Sequence, residues 1–363
     1  MKKILILHDY KGMLACKFIG SKEEHYDSVL NLEAIKEELV SKGFEVTISE
    51  FATLDMSKNY AGYYVLYPSS EEKGLFYKNY ISDVVLRLMS DGAVLLPSFQ
   101  HFQCHHNKSF AEMYRAGLID ERLKTPKSLC IGRYEELELV KGELTYPIVV
   151  KTASGSGSVG VKLAKSADEL EAVVKKLMRH TYRNQEYTWL REFGHKPVGF
   201  ALKKLMKKLK GDKKLAPRDE PYYSNKIVLQ DMIPNLSGDY KVLYFHGKYY
   251  CLGRKNRDND FRASGSGKFA FPETVEEISN VLELARCAVK EFNEPMISMD
   301  IAENDEGCYL IEFQFLYFGP YTLQYSDWYF TYDEDSKMFI KVNEKSDLEK
   351  EYARAVAEYI DAM

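Results

Sequence analysis

The sequence predicts a mixed α/β and α+β fold, in which an open, mostly parallel sheet comes first and a strand-rich second part follows. Three observations carry this. Apolar strands alternate with amphipathic helices from Lys2 to Leu96, the pattern of a parallel sheet. A glycine-rich stretch after Lys151 stands between two β-branched runs, not between a strand and a helix. From Ile227 onward, short alternating runs are separated by turn residues, which indicates strands joined by hairpins.

Lys2–Leu7 is the first strand. Leu30, Leu32, Ile35, Leu39 and Val40 then recur at helical spacing before Gly43 ends the helix, and Phe44–Ile48 alternates as the second strand. Tyr63–Tyr67 and Gly92–Leu96 are the third and fourth strands, with a helix over about 78–90 between them. Ligands of such sheets sit beyond the carboxyl ends of the strands, here the loops His8–Lys11, Pro68–Glu72 and Pro97–Gln103. His101, Cys104, His105 and His106 invite a metal reading. Consecutive histidines cannot easily face one ion, however, and structural zinc wants four ligands, so a polar loop at the sheet edge is expected. Asn107-Lys108-Ser109-Phe110 opens a helix that runs to about Gly117, and Ser128–Ile131 is the next strand. Lys108 alone reads as surface charge.

Tyr146–Lys151 is a strand, and Gly155, Gly157 and Gly160 match G-x-G-x-x-G. The dinucleotide fingerprint requires a helix next, whereas Val159, Val161 and Leu163 alternate as a strand. The protein-kinase glycine loop comes with H-R-D and D-F-G motifs; neither is present, and Asp260-Phe261-Arg262 is not one. What remains is a hairpin whose backbone N–H groups, over Ser154, Gly155, Ser156, Gly157, Ser158 and Val159, can cover phosphates, with Lys151 at the end of the incoming strand. The plainer alternative is a Ser/Gly hairpin without a ligand. Ser166 and Glu169 then form a capping box for a helix with Leu170, Val173, Val174 and Leu177 on one face.

The chain has 363 residues, enough for two or three domains, and its formal charge of −4 with a pI near 6.1 argues against a general nucleic-acid binder. No run approaches the roughly 18 apolar residues of a membrane span, and Met1–Leu7 is too short for a signal-peptide core. Six scattered cysteines fit a reducing compartment. The expectation is a cytoplasmic protein. One segment departs from the average: residues 179–226 hold 13 Lys/Arg against 5 Asp/Glu. Within it Leu202, Leu205, Met206 and Leu209 line one helical face and Lys203, Lys204, Lys207, Lys208 and Lys210 the rest. Span 198–214 is expected either to contact an anionic polymer or the surface of a membrane, making the protein peripheral there, or to pack its apolar stripe on the same chain.

In the second part, Ile227–Met232, Tyr240–Phe245 and Lys248–Arg254 are strands, the last two joined by the turn His246-Gly247. A helix follows over Glu273–Asn293, then strands Ile297–Ala302 and Tyr309–Phe315 joined by Asn304–Gly307, and a terminal helix over Glu344–Ile360. Asp300 and Glu312 fall late in the last two strands, and Glu312 and Gln314, two residues apart, share a face. Three oxygen-bearing side chains together suit a magnesium ion that also takes phosphate oxygens. With Lys151 and a phosphate loop upstream, they suggest a nucleotide site.

The order of these parts resembles the ATP-grasp superfamily, in the branch of D-alanine–D-alanine ligase, glutathione synthetase and the ribosomal-protein glutamate ligases. The resemblance rests on Asn107-Lys108, Pro147–Lys151 with the glycine hairpin, Leu229–Ile233, Gly238–Val242, Arg254, Asp260-Phe261-Arg262 with Gly265–Gly267, Asp300, and Glu312-x-Gln314. It implies an amino-terminal α/β domain over 1–105, a linker helix and lid subdomain over 106–229, and a carboxy-terminal subdomain over 230–363, the last two forming a two-lobed ATP-grasp fold. It also implies that Lys108 and Lys151 contact the phosphates of ATP, and that Gln230, Asp231 and Met232 meet adenine, with Asp239 and Lys241 nearby. Asp300, Glu312 and Gln314 would hold Mg²⁺, two ions being expected, while Arg254 and Arg262 would steady the phosphoryl group in flight. Gln314 replaces the usual Asn, and Lys241 the usual Arg of a D-x-R motif. The implied activity is ADP-forming ligation of a carboxylate to an amine through an acylphosphate, possible substrates including a large anionic acceptor such as a surface polysaccharide or an acidic peptide. The alternatives are an ATP-grasp-like kinase acting on a hydroxyl and a non-catalytic nucleotide- or surface-binding protein.

Overall fold

The computed structural model describes residues 1–14, 30–72, 74–155, 160–180, 222–256, 268–316 and 319–363. The chain divides into two compact units, the first built from Met1–Lys127 and Ile233–Met363, the second from Ser128–Gly155 and Val159–Met232. Ser156 to Val159, the basic span 198–214, Asp260, Phe261, Arg262, Gly265–Gly267, Tyr317 and Phe318 lie outside the described residues.

In the first unit, strands β1 (Lys3–His8), β2 (Glu45–Glu50), β3 (Tyr63–Leu66) and β4 (Val94–Leu96) pair in parallel in the order β2-β1-β3-β4. Ile4 to Leu7 are at most 1% exposed, as a strand covered on both faces requires. One face packs on helix Leu32–Ser41 and the carboxy-terminal helix Leu348–Ala362, the other on helix Phe76–Ser90. Both flanking helices start on short polar caps: Asn31 accepts from the Ala34 N–H and Asp347 from the Lys350 N–H. The stretch expected as a polar loop is instead a helix, Phe99–Cys104, capped by Ser98, with His101 and His105 buried. Aromatic contact explains this: the His101 ring stacks on Phe315 at 3.9 Å between centroids.

The second unit holds β5 (Ser128–Arg133), β6 (Ile148–Thr152), β7 (Val161–Ala164), β8 (Arg179–His180) and β9 (Tyr222–Asp231). They form an antiparallel sheet in the order β5-β9-β6-β7, with β8 against β9. Helix Ala167–Met178, begun by the expected Ser166–Glu169 cap, lays Leu170, Val174 and Met178 on Ile148, Val150, Ala164, Ile227 and Leu229. Gly160 holds φ at +81°, and a Cβ there would lie 2.2 Å from Thr152 Oγ1, so any other residue would strain the backbone and push the Thr152 hydroxyl aside.

Back in the first unit, β10 (Gly238–Phe245), β11 (Lys248–Lys255), β12 (Phe269–Ala270), β13 (Met296–Asn304), β14 (Gly307–Gln314), β15 (Tyr329–Asp333) and β16 (Met338–Val342) form a second sheet. Its order is β14-β13-β10-β11-β15-β16, with β12 on β11. Val242, Met299, Ile301, Leu310 and Phe313 pack under helix Ser279–Phe292, which is shorter than the expected Glu273–Asn293 because Glu276–Ile278 is a tighter 3₁₀ turn. The opposite face is apolar at one end, where Leu243, Tyr250 and Met296 meet the carboxy-terminal helix. At its other end it is charged.

Candidate functional site

The charged end is written into strand alternation. Asp239 and Lys241 on β10 share a face with Arg254 on β11 and Ser298 and Asp300 on β13, because Asp239 pairs with Arg254 and Lys241 with Asp300. On β14, Leu310 lies in the apolar core, so Glu312, two residues on, would be expected beside it. The ladder instead shifts between Asp300 and Ile301: Asp300 faces Glu312, Ile301 faces Leu310, and Ile311 is extra. This β-bulge turns Glu312 and Gln314 onto the charged face and returns Phe313 to the core.

The face is a network of matched charges. Arg254, 7% exposed, donates from Nε to Asp239 at 2.6 Å and pairs through Nη2 with Asp300 at 2.8 Å. Lys241, also buried, reaches Ser298 Oγ at 2.9 Å and Asp300 Oδ1 at 3.5 Å. Burial pushes the Asp300 carboxyl up, but the Arg254 guanidinium and the Lys241 ammonium outweigh it and hold the group below its ordinary value. Burial, then the neighbouring Asp300 charge, raises Asp239 to about 6. Two carboxylates thus share one guanidinium, and the acid nearer to Lys241 stays ionised. Lys108, at the start of helix Lys108–Ala116, places its Nζ 3.5 Å from Glu312 Oε1.

The expected magnesium ligands are therefore brought together on one face within the first unit. Their chemistry fits the ion. Asp300 and Glu312 are direct cross-strand partners, and the buried Gln314 Oε1 has no hydrogen-bond partner among the described residues, a position that asks for a donor or a cation. Among the described residues no group of three or more His, Cys, Asp or Glu could hold a metal by itself. The amide oxygen and oxygens supplied by a phosphate would complete such a set, as magnesium commonly requires.

In the second unit, Lys151 is the next-to-last residue of β6 and its Nζ donates to Gln230 Oε1 at 2.5 Å. Gln230 is 3% exposed; Lys151 pairs with Val228 and Val149 with Gln230, so lysine and amide lie diagonally on one face of the sheet. Ser154 and Gly155 begin the hairpin, and the Thr152 hydroxyl donates to the Ser154 carbonyl at 2.8 Å. Asp231 ends β9 and Met232 follows it.

Sequence reasoning passed over Glu71, Glu294 and the buried histidines as charged or polar partners. His101 Nδ1 lies 2.6 Å from Glu294 Oε1 and its Nε2 2.8 Å from the Tyr114 hydroxyl. The signal was the aromatic spacing Phe99, Phe102, which marks a buried helix.

The sequence model of the family described as "D-ala D-ala ligase C-terminus" matches residues 125–184, the segment that contains β5 to β8 and the glycine hairpin. No curated protein matches the chain. Among solved structures, the D-alanyl-alanine synthetase A of Vibrio cholerae O1 biovar eltor str. N16961 is 13% identical over 100% of both chains, with a TM-score of 0.52. D-cycloserine synthetase DcsG is 13% identical over 98% of this chain and 99% of its own, also at 0.52. At this identity the likeness establishes the fold.

Proposed function

With the ATP-grasp fold as premise, we propose that the protein is an ATP-dependent, ADP-forming ligase that joins a carboxylate to an amine. The observation that carries the reading is the cross-strand pair Asp300–Glu312 beside a buried Gln314 oxygen that has no hydrogen-bond partner among the described residues. The family match over the glycine hairpin supports it.

In this reading Asp300, Glu312 and Gln314 hold Mg²⁺, which supplies charge neutralisation for the triphosphate. Lys108 and Lys151 meet phosphate oxygens, and the backbone of Ser154 to Val159 covers them. Gln230, Asp231 and Met232 receive the adenine. Arg254 and Lys241 keep Asp300 ionised and aimed, and Asp239 keeps Arg254 in place. A carboxylate oxygen attacks the γ-phosphorus, the bond to the β–γ bridging oxygen breaks, and an acylphosphate and ADP result. The amine lone pair then attacks the acyl carbon, phosphate leaves with the C–O bonding pair, and the amine proton passes to solvent. Phosphoryl transfer asks of a protein chiefly positioning and charge stabilisation, and the residues named provide both without a covalent nucleophile. Arg262 completes the set by holding the oxyanion. Span 198–214 offers a cationic surface to an anionic acceptor such as a surface polysaccharide or an acidic peptide. Among the described residues no helix is long and apolar enough to cross a membrane.

The test is ADP release with Mg²⁺ over a matrix of amino acids, uronic acids and amines, with Glu312→Ala as the control. Amide and ADP in equal amounts are expected; AMP with pyrophosphate, or a stable phosphate ester, would overturn the assignment.

A further inference from the structure

Gln314 is flanked by two residues that point away from the charged face: Phe313 and Phe315 both lie in the core of the first unit. What holds those two rings therefore bears on where Gln314 stands. Phe292 touches both, at 4.7 Å and 5.2 Å between centroids, and they lie 5.7 Å from each other. The ring packed flat on Phe315 is not a phenyl but His101, 4% exposed, with 3.9 Å between centroids and 23° between planes.

A phenyl in that place would also stack. A histidine adds two nitrogens at different edges of the ring, each of which can be tied down. Nδ1 lies 2.6 Å from Glu294 Oε1 and 2.9 Å from Ser98 Oγ, and the same carboxylate oxygen accepts from the Ser98 N–H at 2.7 Å. Nε2 lies 2.8 Å from the Tyr114 hydroxyl. Bonded at both ends, the ring cannot turn without breaking a buried hydrogen bond. The anchors come from segments that carry the site. Glu294 stands two residues before β13, the strand of Asp300, and Tyr114 belongs to the helix that Lys108 opens. Lys108 in turn reaches Glu312 at 3.5 Å. One buried imidazole is thus bonded to the helix of Lys108 and to the entry of the Asp300 strand, and stacked on the residue after Gln314.

We propose that His101 is a positioning residue: through its stack on Phe315 it fixes the end of β14 and so aims the Gln314 amide oxygen at the metal. This rests on the reading that Gln314 holds Mg²⁺. Gln314 Oε1 has no hydrogen-bond partner among the described residues, so its direction comes from its backbone, and that backbone is held by the rings on the opposite face. Groups standing behind a metal ligand commonly set metal affinity by about 10–100-fold.

The test needs no turnover. Binding is read from the electron paramagnetic resonance signal of free Mn²⁺, a stand-in for Mg²⁺, with the β,γ-imido analogue of ATP present. Gln314→Ala is expected to weaken Mn²⁺ binding, and His101→Gln, which keeps hydrogen-bonding groups but removes the ring, to weaken it about tenfold. In the double variant the loss should be no greater than in Gln314→Ala alone, because a positioning residue then has nothing left to position. Should His101→Gln not fold, Phe315→Leu, which removes the stack and leaves His101 bonded to Glu294 and Tyr114, carries both expectations. Wild-type affinity in His101→Gln, or losses that multiply in the double variant as a general loosening of the fold would give, would overturn the proposal. Wild-type affinity in Gln314→Ala, or no Mn²⁺ binding by the unaltered protein, would instead overturn the metal role of Gln314 and this assignment with it.

Discussion

On the second sheet of the first unit, Asp239, Arg254, Lys241 and Asp300 restrain one another: the two cations are buried, the two acids are largely covered, and every one has an opposite charge within 3.5 Å. In the second unit, Lys151 stands half-buried against the neutral amide of Gln230. The first arrangement ties function to stability, because removing one member strands the others. The second keeps a cation aimed with an amide partner whose loss leaves no buried charge behind. An acid needed to hold a metal has to stay ionised inside a protein, which takes fixed cations; a lysine that meets a phosphate already has its charge at neutral pH.

The largest effect separates the two roles by activity. Glu312, partly exposed and paired with Lys108, is expected in Glu312→Ala to lower ADP release by about 10³-fold or more, the scale of losing a group that stabilises transition-state charge, with the melting temperature unchanged. A stability loss of equal severity would break the comparison. Next, Arg254→Met leaves Asp239 and Asp300 without the buried guanidinium they share, and denaturant melts should show a loss of about 3–5 kcal/mol.

The histidines sharpen the contrast through pH. His106 has its folded value lowered to about 4 from 6.5, so the unfolded chain binds the proton more readily. Its stabilisation is complete above pH 6.5 and drains away as pH falls toward 4, by up to about 3 kcal/mol; His105 shifts in the same direction. Thermal melts should therefore drop between pH 6.5 and pH 4.5, and the drop should shrink in a His105→Asn/His106→Asn double variant, which keeps Glu71, Lys78 and Lys108. The smallest effect belongs to the second unit: Lys151→Ala is expected to change stability by less than about 1 kcal/mol while impairing ADP release. A loss as large as that of Arg254→Met would show that the two units hold charge alike.

Much of this was legible in the residues. The parallel sheet, the glycine hairpin and the strands bearing Asp300 and Glu312 follow from period and turn chemistry. Ser166 and Glu169 fixed a helix start to the residue. The hairpin Tyr329–Val342 was passed over although Asp333 to Ser336 reads as a turn between alternating aromatics. The pairing of Lys241 with Asp300 was not legible, because register depends on which strands become neighbours and β10 joins β13 across 50 residues of chain, whereas the two-residue turn His246-Gly247 already implied that of Asp239 with Arg254. Nor was the burial of His101 and His105, since histidine hides as an aromatic only once Phe315 and Glu294 arrive from elsewhere in the sequence.

A strand read two residues at a time is a parity counter, and Ile311 resets it. Before that residue, even positions of β14 look inward; after it they look toward the acids. Were the bulge ironed out with Ile311 kept, Phe313 would exchange faces with Glu312 and Gln314, sending acid into oil and a phenyl ring among the charges; deleting Ile311 instead leaves Leu310 opposite Ile301 and Glu312 opposite Asp300 in an even ladder. The faces are thus set by the irregularity and not by the length of the strand.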